Sequence, residues 1–258
     1  MKKFLSVVLL FVASLQAFAL SYGQQADSAY NKENYREAIE LYNKSIAQEG
    51  RSATIYYNLG NAYFRNDNLG KAVVSYERAL RINPSDEDAR QNLEFVRSRI
   101  QDKPEDDTPF FASMHASTVA MMSPDAWAWT AFVVFLLLAG AAALYIFSQQ
   151  VALRKAGFFG GIVLLVLFAY FLGVAADAAS TARSHEDAVV IVPSTQLTSA
   201  PRASKTASDK VVTIHEGTKV AIVDSVATPD DPVSPKWYNV KINNSTKAWL
   251  RASDVERI

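Results

Sequence analysis

Cysteine is absent from all 258 residues. Disulfides, thiolate metal sites and cysteine nucleophiles are excluded together. Compartment stays open, because an oxidising space permits disulfides without requiring them. Net charge is absent too. The 26 Lys and Arg residues balance 26 Asp and Glu, which leaves no electrostatic case for a nucleic-acid partner. Histidine is scarce. His115, His185 and His215 stand far apart, and His215-Glu216 lacks the second histidine of a zinc-protease motif. Leu69-Gly70-Lys71 lacks the preceding glycine and following hydroxyl of a phosphate loop. No glycine-flanked serine forms a nucleophile elbow. Asp106-Asp107 and Asp230-Asp231 lie in proline-bearing stretches and read as solvated. The expectation is a chain without enzymatic activity, cofactor or metal.

What the chain has in plenty is apolar residues gathered into long runs. Residues 1–19, MKKFLSVVLLFVASLQAFA, have the form of a secretory signal peptide. Lys2 and Lys3 are basic, Phe4 to Leu15 is almost wholly apolar, and Ala17-Phe18-Ala19 is small-x-small. An uncleaved anchor is the alternative, and both place residue 20 onward outside the cytoplasm. Within 126–147 and 156–176, the runs Trp127–Phe147 and Ala156–Ala176 carry no charge. Each can cross a ~30 Å hydrocarbon core as a helix. The expectation is two transmembrane helices in a lipid bilayer.

Between them SQQVALRK, residues 148–155, holds Arg154 and Lys155, with no other Lys or Arg between Lys103 and Arg183. The positive-inside rule makes this a cytoplasmic loop. Both flanking regions then lie on the periplasmic side of an inner (cytoplasmic) membrane. Ala139–Ala143 would lie level with Gly157 and Gly161 in such a hairpin and give a close seam, unless the small face serves a partner helix. Residues 101–125 and 177–187 read as linkers. The first carries Phe110, Phe111, Met114, Met121 and Met122, which suit a segment at a membrane surface or a plain flexible connection.

Residues 20–100 repeat. Count Ala53 as the first position of a 34-residue frame. Leu59, Gly60, Tyr63, Ala72, Tyr76, Ala79 and Pro84 then occupy the marked positions of a tetratricopeptide (TPR) repeat. Gly60, Ala72 and Ala79 are small where two antiparallel helices cross; Tyr63 and Tyr76 fill the space beside them; Pro84 stops the second helix. One frame earlier stand Tyr22, Ala26, Ala38 and Tyr42, with Asn34 and Glu37 as an N-cap pair. One frame later, Ser85 and Asp88 can cap a helix reaching Arg99, which would cover the last apolar face. Residues that miss the packing frame line the concave side as partner-binding candidates. These are Asp27 and Tyr30, then Tyr57, Asn61, Phe64 and Arg65. Phe64 could instead pack on the neighbouring copy. Asn61 fits a clamp for a C-terminal carboxylate, but Gly23 and Asp27 stand where such a clamp needs cations or amides.

Residues 188–258 alternate with period two. Val189–Val192, Val211–Ile214, Lys219–Val223, Trp237–Ile242 and Ala248–Leu250 read as strands of a small barrel. The pattern resembles bacterial SH3-like domains, with Ala248-Trp249-Leu250 in place of the family's glycine-bearing form. If Tyr238, Val240 and Ile242 face the core, Trp237 faces out, and so does Trp249 between Ala248 and Leu250. The two tryptophans then offer a ligand face, unless the loop at 227–236 folds over them. Some relatives of that fold bind peptidoglycan.

Signal, short repeat array, SPDAWAW leading into a hairpin, and the IHEGTKV and WYNVKI strands together resemble the Bacteroides aerotolerance (Bat) family, in its E-type member. The fold class expected is a multidomain membrane protein: an all-α TPR helical repeat, two transmembrane helices and an all-β SH3-like small barrel. The resemblance implies an inner-membrane complex with von Willebrand A-type Bat proteins and a MoxR-type ATPase, tied to envelope or oxidative stress. The function expected is a membrane-anchored adaptor that binds proteins. A peptidoglycan-binding envelope anchor with a structural TPR unit is the alternative.

Overall fold

The computed structural model describes residues 20–102, 109–183, 186–201, 210–227, 236–242 and 247–258. The signal at 1–19, Asp106-Asp107, His185 and most of the 227–236 loop lie outside the described residues.

Five helices build the repeat: α1 (Tyr22–Asn31), α2 (Tyr35–Gln48), α3 (Ala53–Arg65), α4 (Leu69–Ile82) and α5 (Glu87–Arg99). Their starts are set by side-chain oxygens that accept from orphan backbone N–H groups. Ser21 caps α1, Ser52 caps α3, Asn68 caps α4 and Asp86 caps α5. Two expected caps differ. The Asn34 side-chain oxygen makes no cap bond, and its amide nitrogen donates to Glu37 at 2.7 Å. Asp86, rather than Ser85 with Asp88, caps α5, since its carboxylate reaches the Ala89 N–H at 3.0 Å.

The turns also repeat. Glu33 (φ 60°) and Asp67 (φ 58°) both take the left-handed conformation, one frame apart. There the chain reverses, and the N–H groups of Asn34 and Asn68 donate to the Ala29 and Tyr63 carbonyls, both at 3.0 Å. Inside, Ala26, Ala38, Ala62, Ala72 and Ala79 are fully buried, and so are the rings of Tyr42 and Tyr76. A Cβ on Gly60 would stand 2.7 Å from the Tyr76 ring, so only glycine allows this crossing.

A helical hairpin follows. Helix α6 (Phe110–Val119) leads to α7 (Pro124–Phe147), capped by Ser123 with Pro124 in the first turn, and α8 (Val151–Arg183). Both α7 and α8 are long and apolar enough to cross a membrane. Their apolar side chains, among them Phe132, Leu136, Leu137, Phe159, Val166 and Leu172, stand exposed. Gly157 sits in the seam, where a Cβ would meet the Ala141 carbonyl at 2.7 Å and the Tyr145 nitrogen at 2.8 Å.

Three expected boundaries are corrected here. The 101–125 linker contains α6; its Val119, and Met122 in the turn that follows, pack with Trp127, Phe171 and Val174. The 148–155 loop shrinks, because VALRK is a good helix-forming stretch and already opens α8 at Val151. The 177–187 linker is helix up to Arg183, since DAASTAR holds no glycine or proline to stop it.

Among the described residues seven antiparallel strands follow: β1 (Asp187–Val190), β2 (Ser194–Thr198), β3 (Lys210–His215), β4 (Lys219–Val226), β5 (Trp237–Lys241), β6 (Lys247–Arg251) and β7 (Val255–Arg257). Their order is β3-β2-β6-β5-β4-β1-β7, which leaves β3 and β7 as edges rather than a hydrogen-bonded closure among the described residues. Two strands beyond the five expected are β2 and β7. The core of this sheet gathers Val190, Leu197, Val220, Tyr238, Val240, Ala248 and Leu250.

Helical repeat and sheet are packed together. Val189 and Ile258 share one apolar cluster with Ala72, Val73, Leu93, Val96 and Ile100. Polar contacts ring it. The Gly70 N–H donates to Glu216 at 2.8 Å. Arg78 pairs with Glu256 at 2.6 Å and also donates to the Arg257 carbonyl. Asp102, expected in the linker, instead accepts from the His215 N–H (2.6 Å), the His215 ring Nδ1–H (2.9 Å) and the Thr218 hydroxyl (2.8 Å). The last apolar face of the array is thus covered by α5 and by β1 together.

Candidate functional site: the concave cleft of the repeat

The repeat places the same polar triad twice. In the first copy the Tyr42 hydroxyl (2.6 Å) and the Asn58 amide (3.1 Å) both donate to Asp27 Oδ1. In the second the Tyr76 hydroxyl (2.6 Å) and the Asn92 amide (2.9 Å) both donate to Asn61 Oδ1. Each position recurs one 34-residue frame later, with Asn61 standing where the first copy has Asp27. Burial pushes both tyrosine hydroxyls well above the ordinary phenol value, with the nearby Asp27 adding to the rise at Tyr42. Both rings therefore remain O–H donors and hold the acceptors at 27 and 61 in place.

Between the two triads opens a cleft of about 340 Å³, lined by Asp27, Tyr30, Asn31, Tyr42, Asn58 and Asn61. Of the expected residues, it brings Asp27, Tyr30 and Asn61 together. Tyr30 stacks edge-on against Tyr35 at 5.4 Å between ring centres, and burial raises its pKa. Tyr57, Phe64 and Arg65 are engaged elsewhere. The Tyr57 ring lies 6.1 Å from that of Tyr76. Phe64 meets Phe95 of α5 edge-on at 5.7 Å, with the Arg99 guanidinium 5.3 Å from its centre. Arg65 lies 5.0 Å above the Tyr35 ring. Tyr42, Asn31, Asn58, Tyr76 and Asn92 were missed, although recurrence at the frame spacing would have found four of them.

On the sheet, Trp237 and Trp249 are half-buried and share the face opposite the core. Trp237 pairs with Arg251 across β5 and β6, and Asn239 pairs with Trp249. The Arg251 guanidinium lies 6.0 Å from the Trp237 ring centre. Asn239 Oδ1, between the tryptophans, is buried with no hydrogen-bond partner among the described residues. A larger cleft of about 830 Å³ lies where α4, α5, α6 and the end of α8 meet. Its charges serve one another: Arg97 and Lys219 both reach Glu77, and Lys219 and Arg81 reach Asp187.

Residues 24–87 match the Tetratricopeptide repeat family model. Tetratricopeptide repeat protein 16 of Mus musculus is 32% identical over 81 residues, 31% of this chain and 11% of that protein. The proteins of that name in Homo sapiens and Macaca fascicularis are 30% identical over 81 residues, 31% of this chain and 9% of theirs. The chain therefore spans about a tenth of the length of these relatives. Residues 24–87 are tetratricopeptide repeats, a scaffold for protein–protein interaction, and α1–α4 make up two copies of it.

Proposed function

We propose that this chain is a non-enzymatic, membrane-anchored adaptor whose repeat groove binds a protein partner. The observation that carries the reading is the open cleft at Asp27, Tyr30, Asn31, Asn58 and Asn61, built by a motif repeated at the frame spacing. Two long helices with exposed apolar faces support the anchor, since that much apolar surface needs lipid or another protein to cover it. On this reading α7 and α8 span the inner membrane, and the repeat and the SH3-like sheet both stand on the periplasmic side. The Bat resemblance supplies candidate partners, membrane proteins with von Willebrand A-type domains in a complex with a MoxR-type ATPase. The test is a mild-detergent pull-down with the full chain beside a Tyr30→Ala, Asn31→Ala variant, which opens the cleft wall but leaves both triads. Loss of a specific membrane partner with unchanged circular dichroism supports the adaptor. Retention of every partner sinks it.

A second reading has an observation of its own. Trp237 and Trp249 lie together on one face of the sheet, an aromatic surface suited to a sugar or peptide of the cell wall. On that reading the sheet anchors peptidoglycan and the repeat is structural. Replacing Trp237 and Trp249 together by alanine would then abolish co-sedimentation with isolated wall sacculi, whereas the adaptor reading leaves partner capture intact.

A further inference from the structure

The two triads in the groove are equivalent in geometry and different in charge. At position 61 the acceptor is an amide. Its Oδ1 is taken by Tyr76 and Asn92, so its NH2 group is left as a pair of donors. At position 27 the acceptor is a carboxylate. Its Oδ1 is taken by Tyr42 and Asn58, while Oδ2 has no donor and no ion-pair partner among the described residues. Asp27 itself is exposed to the cleft. Two donated bonds on one oxygen hold the carboxylate in a fixed orientation, so its free oxygen is presented without further ordering. The nearby cation is already occupied, since Arg65 lies over Tyr35. The Tyr30 ring, on the cleft wall beside Asp27, is a second surface that attracts cations.

We infer that the groove takes an extended peptide segment that sets a lysine or arginine side chain on Asp27 and a backbone carbonyl on the Asn61 amide. This rests on the adaptor reading and adds the chemistry of the partner. The same residues disfavour a C-terminal carboxylate, because an anion entering the cleft meets the uncompensated charge of Asp27.

The variant that isolates the idea is Asp27→Asn. It makes position 27 the same as position 61, and the amide oxygen can keep both bonds from Tyr42 and Asn58. The probe is a set of eight-residue peptides, acetylated and amidated, with one lysine or arginine placed at each position in turn and norleucine as its uncharged replacement. Binding to the full chain in detergent is read by fluorescence anisotropy. The expected result is one favoured register in which the basic residue improves affinity about ten-fold over norleucine, the scale of a charge-assisted hydrogen bond. The advantage should fall to within about two-fold in Asp27→Asn and shrink with added salt. The inference is overturned if norleucine binds as well as lysine in every register. It is also overturned if peptides with a free C-terminal carboxylate bind best and Asp27→Asn strengthens them. The norleucine comparison on the native chain decides the matter even if the variant fails to fold. If no peptide binds in a way that Asn61→Ala weakens, the groove is not a peptide site. The adaptor reading then falls with the inference.

Discussion

Replacing Gly70 by alanine adds one methyl group at the second residue of α4, where the repeat meets the sheet. A Cβ there would stand 2.5 Å from the Val190 carbonyl oxygen, 2.9 Å from Glu216 Cγ and 3.0 Å from Ile191 Cα. Two of those three atoms are backbone and cannot rotate away. Restoring an ordinary contact moves the sheet off the helix by nearly an ångström. Such a shift disturbs the Gly70–Glu216 bond and the Val189 and Ile258 contacts with Ala72, Val73 and Ile100. Overpacking of this kind costs about 1–3 kcal/mol, and weakening a hydrogen bond to a charged group adds to it. Alanine in an unhindered helix would instead stabilise by about 0.5–1 kcal/mol relative to glycine. The two effects have opposite signs, so the experiment discriminates. Unfolding is followed in detergent by far-ultraviolet circular dichroism for the helices and, in a Trp127→Phe, Trp129→Phe background that leaves Trp237 and Trp249 as the tryptophans, by fluorescence for the sheet. The native chain should lose both signals together, because repeat and sheet share a core. Gly70→Ala should lower the sheet midpoint by several degrees and separate the two transitions. An unchanged or raised midpoint, with the transitions still coincident, would refute the docking argument.

Other residues test other joints. Asp102→Asn should cost about 1–3 kcal/mol, because one of its two acceptor oxygens becomes a donor facing N–H and O–H groups that also donate. Burial alone would raise the Asp102 carboxyl, but the bonds from the His215 ring, the His215 backbone and Thr218 outweigh it and hold the group below its ordinary 3.8. A depressed native pKa gives stability that is fully present above 3.8 and lost as pH falls below it. The gap between native chain and variant should therefore be constant at neutral pH and close on acidification below about 4, read by urea denaturation of each. Glu33→Gly should raise the midpoint of the repeat by a degree or two, because it relieves a left-handed glutamate that costs about 1–2 kcal/mol while glycine loses somewhat less in chain entropy. Asp67→Gly should gain less, aspartate tolerating that conformation better. Gly157→Val should weaken the hairpin against dodecyl sulfate unfolding, since its side chain meets the Ala141 and Tyr145 backbone, whereas Gly160→Val, with nothing within 4 Å, should not.

The repeat was legible because its cause is local and periodic. Small residues at Gly60, Ala72 and Ala79 mark helix crossings, and the tyrosines beside them recur at the same spacing. The two apolar helices were legible for a similar reason, a long run without charge. Strand β2 was not. STQLT lacks a clean alternation, and its buried threonines are tolerated through their hydroxyls: Thr195 donates to Asp254 at 2.7 Å and Thr198 to the Ala200 carbonyl at 2.7 Å. The cleft was half legible. Helical position finds Asp27 and Asn61, but their tyrosine and asparagine partners come from other helices, and only contact shows that they converge on one oxygen. The joint between repeat and sheet left no local trace at all. Gly70, Asp102 and Glu216 read as common turn and linker residues, and Asp102 meets His215 across more than a hundred residues of chain.

That joint changes what a two-copy array can accomplish. A short groove on a flexible tether must order itself and its partner together, and the entropy of doing so subtracts from a small contact area. Here the groove is immobilised twice. The sheet is fixed to α4 and α5 through one apolar cluster and the Asp102 bonds. Helix α6 connects the same array to the hairpin: the Ser85 hydroxyl donates to the Met121 carbonyl at 3.1 Å, Trp127 Nε1 donates to the Val119 carbonyl at 3.3 Å, and His115 meets Asp177 of α8 at 2.9 Å. On the adaptor reading, a partner confined to the same membrane then meets a cleft of set height and direction. Its ordering cost is smaller and its effective concentration is high, so two repeats with one charge contact suffice. Loosening either joint should weaken capture of a membrane-bound partner more than binding of a free peptide to the same cleft. A groove acting independently of its mounting would lose both equally or neither.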